Sequence, residues 1–508
     1  MDTNESHVAL WRALLLTANG VALWRALLLT ALICFGVSCF ADGPAPWQLT
    51  LRAPKAACVF DVAEAPHVLA VVRNVAGADA AAKLMFEVND YDGKVLSVGE
   101  ASLQVPKGET RQTDLTLGDP AKLPHEEYLT VKVTLTADGK SQSEWRKGFG
   151  FLPQRAVTTP PEASSFGLLM EGAWPLAQRL GVRYVRPNWG WDERPMDWAK
   201  RYGIAYCPMV NEANAFVRGE LTEKEYSDFV YESVQRYKGT IKYWQLGNEF
   251  DIFHRDGPKA YVESQRIGYA AAKRADPNCV IVGGSITELQ CRKEGWPESL
   301  QLGLPKYCDI YDFHFYQDLK TTHEMLDYIR ATCKQLRAEK PILVTETTQV
   351  GMFDPDYRNQ AEYMFKRYAH LLANGVSVVM WHCYSWPYPF DAYNVAATSV
   401  ADHDGFARPS LFAFAALTRA LDGAKFVRRW DAGEGVYALQ FARGAKSLLV
   451  VWSEAGDKKL TVQGPGGEIG ALRVNGNQET LPAGAELAIT ATSAPVLYVL
   501  AGAPTQLR

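Results

Sequence analysis

Glu249 and Glu346 each close an apolar run, Tyr243-Trp244-Gln245-Leu246-Gly247-Asn248-Glu249 and Ile342-Leu343-Val344-Thr345-Glu346. A carboxylate at the end of a buried strand is costly unless it has a partner or a task. Two such groups that meet can divide the labour of bond cleavage: one gives and takes a proton while the other attacks as a nucleophile. Other polar and aromatic groups end apolar runs in the same way. Arg186 ends VRYVR, His314 and Tyr316 end IYDFHFY, Trp381 ends VSVVMW, and Asn248 stands directly before Glu249. Glu212 follows the run IAYCPMV as a spare carboxylate, and Trp189, Trp191, His382 and Trp386 lie just beyond other runs.

The elements that must position these groups alternate along the middle of the chain. Apolar strands are expected at 166–170, 182–186, 204–210, 241–247, 279–284, 310–316, 341–346 and 376–381. Near-continuous apolar strands fit a parallel sheet buried on both faces. Amphipathic stretches follow several of them, at 222–237, 258–275, 321–339, 359–374 and 409–421. Eight such units over about 260 residues have the size of an α/β (β/α)8 TIM barrel, in which functional groups gather at the C-terminal ends of the strands. A doubly wound open sheet is the runner-up, but no Gly-rich nucleotide fingerprint follows any strand. On either side the chain is β-rich. Residues 45–155 alternate apolar and polar positions between turns such as Asp92-Gly93 and Asp138-Gly139, and 425–508 repeat that character. The expected domains are therefore a β-sandwich at 45–155, the barrel at 165–424 and a C-terminal β-sandwich at 425–508, with a Pro/Thr/Ser linker at 156–164.

Length and composition agree. A chain of 508 residues exceeds the roughly 250–300 that one core sustains. Net charge is −4 with no long run of one sign, which excludes the basic stripe a nucleic-acid partner requires. Most of the 14 Trp, 23 Tyr and 21 Phe must be core, yet flat rings also suit stacking on the apolar faces of sugars. The cysteines form no C-x-x-C pair or Cys/His zinc spacing, and Met170-Glu171 offers no His-x-His, so no metal is expected. Most of them read as small buried hydrophobes, with one or two disulfides open to an exported protein. Residues 8–18 read VALWRALLLTA, and residues 21–31 repeat them. Arg25, the apolar stretch to Val37 and the small residues after it have the layout of a secretory signal peptide, so 1–41 reads as a leader with a duplicated segment. The mature protein is then secreted or periplasmic, with a lipoprotein through Cys39 or a retained anchor as alternatives. The run from Ala26 to Phe40 is short for a spanning helix, which needs about 20 residues, and no stable membrane span is expected.

YWQLGNEFD resembles the Asn-Glu motif of the clan A retaining glycosidases, and LVTETT resembles their nucleophile strand. The placement on the fourth and seventh strands matches that clan, over about half the chain. Among clan members the spacing and the C-terminal β domain look most like glycoside hydrolase family 39, with family 5 close behind. The resemblance implies double displacement on a β-linked poly- or oligosaccharide without a cofactor: Glu346 attacks the anomeric carbon and Glu249 serves as acid and then base. It further implies that Asn248 bonds the sugar 2-hydroxyl, Arg186 and Tyr316 support the nucleophile, His314 belongs to the same cluster, and Trp381 forms a stacking floor. Two residues depart from the usual Trp-Asn-Glu-Pro: Gly247 replaces the aromatic and Phe250 the proline. An inert carbohydrate-binding or scaffold protein, or a transglycosylase, are the alternative readings of the same residues.

Overall fold

A computed structural model describes residues 46–508 apart from 77, 156–158, 171, 188–193, 254–256, 288–294, 349–353, 355, 387–394, 465–466 and 483. The leader expected at 1–41, together with Trp189, Trp191 and Cys291, lies outside the described residues. The other six cysteines beyond the leader are buried and free. No helix among the described residues is long and apolar enough to cross a membrane.

The first part of the chain follows its two-residue periodicity. Trp47–Arg52 alternates buried and exposed along its length. It pairs antiparallel with His67–Asn74, which pairs in turn with Thr110–Thr116. A second, five-stranded sheet runs in the order Val59–Phe60, Lys140–Phe151, Tyr128–Ala137, Ala80–Asn89 and Val95–Val105. Asp138 and Gly139 join two of its strands with φ of 51° and 72°, the double left-handed conformation that suits a tight hairpin. The inner faces of both sheets share one cluster, including Trp47, Val68, Val72, Leu84, Leu129 and Val133. Each such side chain contributes about 1.5–3 kcal/mol by leaving water.

Strands and helices then alternate as the sequence implies. The first strand is Phe166–Leu169, the second Tyr184–Arg186, the fourth Tyr243–Leu246, the sixth Tyr311–Phe315, the seventh Ile342–Thr347 and the eighth Val378–Trp381. All of them are buried throughout. The third and fifth strands are each split. Ala205–Tyr206 and Ile286–Thr287 are the two edges of a seven-stranded parallel sheet. Met209–Val210 and Val280–Val282 flank the fourth strand in a separate three-stranded one. Pro208 divides the third strand, because it has no N–H to continue the ladder. Gly283 and Gly284 divide the fifth. Helices Glu223–Arg236, Gly257–Ala275, Leu319–Leu336, Arg358–Ala373 and Pro409–Leu421 bury their apolar stripes against these strands. Thr222 opens the first of them with a reciprocal capping box to Glu225.

The seventh strand carries an extra residue relative to both neighbours. On one side Asp312 pairs with Leu343 and His314 with Glu346, and on the other Val344 and Thr347 pair with Val379 and Trp381. Such a bulge re-aims side chains. Here it brings Glu346 into register with His314.

After Pro409–Leu421 the chain forms a six-stranded sheet in the order Lys425–Arg429, Val436–Arg443, Lys446–Ser453, Val496–Leu500, Ile469–Arg473 and Gln478–Leu481. One face, with Leu439, Phe441, Leu448, Val450 and Trp452, joins the core of the parallel strands. The other face, with Ala438, Leu449 and Val451, packs on a three-stranded sheet of Glu486–Ala491, Lys458–Gln463 and Gln506–Leu507. The N-terminal β part is fastened to the segment after the eighth strand. Lys147 reaches Asp402 at 2.8 Å and Asp404 at 2.6 Å, and Gly148 bridges to Ala407.

Candidate active site

Arg186, at the end of the second strand, is fully enclosed and organises the site. Its Nε donates to Gln245 Oε1 at 2.6 Å and its Nη2 to Asn248 Oδ1 at 2.7 Å. Its Nη1 donates to Glu346 Oε1. The Tyr316 hydroxyl donates to the other oxygen of Glu346. Burial alone would raise the Glu346 carboxyl, but the charges of His314, Arg186 and His382 and the Tyr316 bond outweigh it and hold it far below the ordinary carboxylate range. Glu346 is therefore a carboxylate at any ordinary pH.

Glu249 has a different environment. Its Oε1 lies 2.7 Å from His314 Nδ1, and its backbone N–H donates to Ser285 Oγ at 3.1 Å. His314 Nδ1 is also 3.7 Å from Glu346 Oε2, so one ring faces both glutamates. The facing atoms of Glu249, His314 and Glu346 all lie within 4.8 Å of one another. That set has metal-ligand spacing, but the guanidinium already bonded to Glu346 would repel a cation there. The arrangement instead suits chemistry that needs two carboxylates side by side, with Glu346 held as an anion.

The backbone of the acid motif is held by a residue the sequence reading did not single out. Asn214, in the short helix Glu212–Val217, donates from Nδ2 to Asn248 O and accepts from Asn248 N, both at 2.8 Å. Glu249 adopts φ 44°, an uncommon conformation for a residue with a β-carbon, and these bonds help to enforce it. The two departures from the usual motif prove to be one packing solution. Gly247 has φ 85°, and a β-carbon there would fall 2.4 Å from the Phe250 ring and 2.5 Å from Asn214 Oδ1. A β-carbon on Gly284 would fall 2.3 Å from the same ring. Phe250 thus fills the space that the glycines leave. Gly247→Ala is expected to destabilise the fold by about 2–4 kcal/mol, through left-handed strain and overpacking, as read by denaturant unfolding. A change below about 0.5 kcal/mol would show that the ring has room to yield.

Most of the residues expected from the sequence meet here: Glu249, Glu346, Asn248, Arg186, His314 and Tyr316 form one connected cluster. His382 joins them, 3.9 Å from Glu346 Oε2. Trp381 departs from expectation. It is wholly buried, and its indole N–H donates to Thr398 O at 2.8 Å, so its ring packs under the segment after the eighth strand and presents no face for stacking. Trp386 is also buried, 5.9 Å from the His382 ring. Burial pushes the Glu212 carboxyl up, and it is Asn214 from the same helix that reaches the motif. Gln245, Ser285, Asp312 and Thr345 belong to the network but were not anticipated as site residues. A usable signal existed for Asp312: Asp312, His314 and Tyr316 alternate along one strand and so share a face.

No protein-family model matches the sequence, and no curated protein matches it. Solved structures do resemble the fold. A family 39 glycoside hydrolase from the gut symbiont Bacteroides cellulosilyticus WH2 aligns with a TM-score of 0.63 at 15% identity, over 84% of this chain and 96% of its own. A glucosidase from Croceicoccus marinus aligns with a TM-score of 0.50 at 11% identity, over 68% of this chain and 98% of its own. The fold resembles that of these glycoside hydrolases. Of the two, the family 39 structure is the more similar over this chain.

Proposed function

We propose that this chain is an exported retaining glycosidase that cleaves β-linked poly- or oligosaccharides through a covalent glycosyl-enzyme intermediate. In this reading the two parallel sheets close into one (β/α)8 barrel at 165–424, flanked by β-sandwiches at 45–155 and 425–508, and 1–41 is a leader. Glu346 attacks the anomeric carbon, Glu249 protonates the departing oxygen, and Glu249 then takes a proton from the water that releases the sugar. Asn248, Arg186 and Tyr316 hold sugar and nucleophile.

The supporting observation is the closeness of two buried carboxylates around one histidine: an oxygen of Glu249, an oxygen of Glu346 and a ring nitrogen of His314 all lie within 4.8 Å of one another. Retaining enzymes keep their carboxyl groups about 5–5.5 Å apart, and a wider gap would leave room for the water of inversion. The test is a panel of aryl β-glycosides and β-linked polysaccharides, with the product anomer followed by proton NMR. The expected result is hydrolysis of at least one substrate with the β anomer formed first. An α product would replace this mechanism with inversion. Binding without turnover across the panel would favour an inert carbohydrate-binding protein, and sugar transfer dominating over hydrolysis in the presence of acceptor would favour a transglycosylase.

A further inference from the structure

Behind His314 lies a third carboxylate, which the proposed reaction does not use. Asp312 is 3% exposed overall, and its side chain is fully enclosed. It accepts from Thr345 twice, from the backbone N–H at 3.0 Å and from the hydroxyl at 2.7 Å. Thr345 is the residue at which the seventh strand slips register, so Asp312 satisfies polar groups that the interrupted ladder leaves over. A hydroxyl has one proton. Since Thr345 gives its proton to Asp312, its oxygen can only accept from His314 Nε2, which lies 3.0 Å away.

We propose that Asp312 is a positioning residue which, acting through the Thr345 hydroxyl, keeps a proton on His314 Nε2 and so leaves Nδ1 as the atom through which His314 serves Glu249. This rests on the glycosidase reading of Glu249. The groups facing the ring are Glu249 from the fourth strand, Glu346 from the seventh and Asp312 from its own. Arg186, Tyr316 and His382 lie around them. Burial pulls the imidazole down, but the three carboxylates outweigh it and raise it above its ordinary value, which favours a second proton on Nδ1. Nδ1–H then donates to Glu249 Oε1, and the acid proton of Glu249 is left on Oε2. When Oε2 gives that proton to the departing oxygen as the glycosidic bond breaks, the new carboxylate is already paired. His314 itself loses no proton in the step.

Asp312→Asn inverts the chain of donors. The amide oxygen keeps the Thr345 backbone N–H, the amide NH2 faces the Thr345 oxygen, and the hydroxyl must turn to donate to Nε2. Nitrogen-15 NMR of histidine-labelled protein reads this without substrate, with the His314 signals assigned by their loss in His314→Gln. In the wild type His314 Nε2 is expected to carry a proton at neutral pH. In Asp312→Asn it is expected to become an unprotonated, acceptor-type nitrogen. Thr345→Val should likewise lose the Nε2 proton signature, whereas Thr345→Ser should retain it, and this pair covers the case in which Asp312→Asn does not fold. On any aryl β-glycoside that the enzyme cleaves, kcat/KM should fall away at a higher pH on acidification in Asp312→Asn than in wild type, because a neutral His314 no longer holds Glu346 down. Thr345→Ser should keep the wild-type pH dependence. A wild-type Nε2 without a proton, or an Nε2 proton unchanged in both Asp312→Asn and Thr345→Val, would overturn the proposal whether or not the protein hydrolyses sugars.

Discussion

Glu346→Gln is expected to reduce hydrolysis by on the order of 10⁴- to 10⁶-fold while leaving the fold and sugar binding in place. The carboxamide has nearly the same shape. Its oxygen can still accept from Arg186, and its NH2 can donate to a Tyr316 hydroxyl that has rotated, so the donors now trained on Glu346 keep partners. What is lost is the anion that forms the bond to carbon. Glu346→Ala should lose as much activity but also stability, by about 3–5 kcal/mol, since Arg186 would be left charged, enclosed and without its carboxylate. The decisive measurement is mass spectrometry of the wild type after a mechanism-based fluorosugar, with a single label on the peptide carrying Glu346. A label on another residue, or a Glu346→Gln variant within tenfold of wild type, would end this assignment. Acid titration adds an independent check. Because the folded-state pKa of Glu346 is depressed, its contribution to stability is fully present above the unfolded value, 4.5, and is lost as pH falls below that toward the depressed value. Acidification below about pH 4.5 should therefore cost wild type more than Glu346→Gln.

The sequence makes the strands and their polar ends legible for a simple reason. A strand buried on both faces cannot carry Arg, His or Glu by accident, so such residues at the ends of apolar runs point to one another. Arg186, Asn248, Glu249, His314, Tyr316 and Glu346 are all found in this way and all meet. Three things escape the same logic. Trp381 has the right type and position for stacking, but whether a ring face is open depends on the segment that follows, and Thr398 captures its N–H. The split third and fifth strands read as single runs because periodicity registers apolar residues and not whether a ladder can continue through Pro208 or Gly283-Gly284. Asn214 escapes that logic because its partners are backbone groups exposed by a left-handed turn, and Asp312, although it shares a strand face with His314 and Tyr316, gains its partner Thr345 only through a bulge; both irregularities exist only after strands have paired. The Gly247 and Phe250 departures show the converse. Two substitutions that look like erosion of a motif, read one at a time, become a matched pair once the ring is seen occupying the space of two absent β-carbons.

Glu249→Gln should separate substrates by their leaving groups. The amide oxygen can go on accepting from His314 Nδ1, now 2.7 Å from Oε1, and the backbone bond to Ser285 is untouched, so the residue should keep its place and its φ of 44°. Only the transferable proton disappears. Substrates whose leaving oxygen needs that proton, such as natural oligosaccharides, should slow by roughly 10²- to 10⁴-fold in kcat/KM, the usual worth of a positioned acid. A dinitrophenyl glycoside leaves as a stable anion and should react with Glu346 at a rate within about tenfold of wild type. Its turnover should then stall at the second step, because no base remains to activate water. Azide, which attacks without giving up a proton, should restore turnover and yield the β-glycosyl azide. A plot of rate against leaving-group pKa is therefore expected to be shallow for wild type and steep for the variant. Equal loss on both kinds of substrate, with no response to azide, would mean that the proton comes from elsewhere. The closeness of His314 to both glutamates would then need another purpose, because its ring lies 2.7 Å from one and 3.7 Å from the other, poised to answer any change of charge in either.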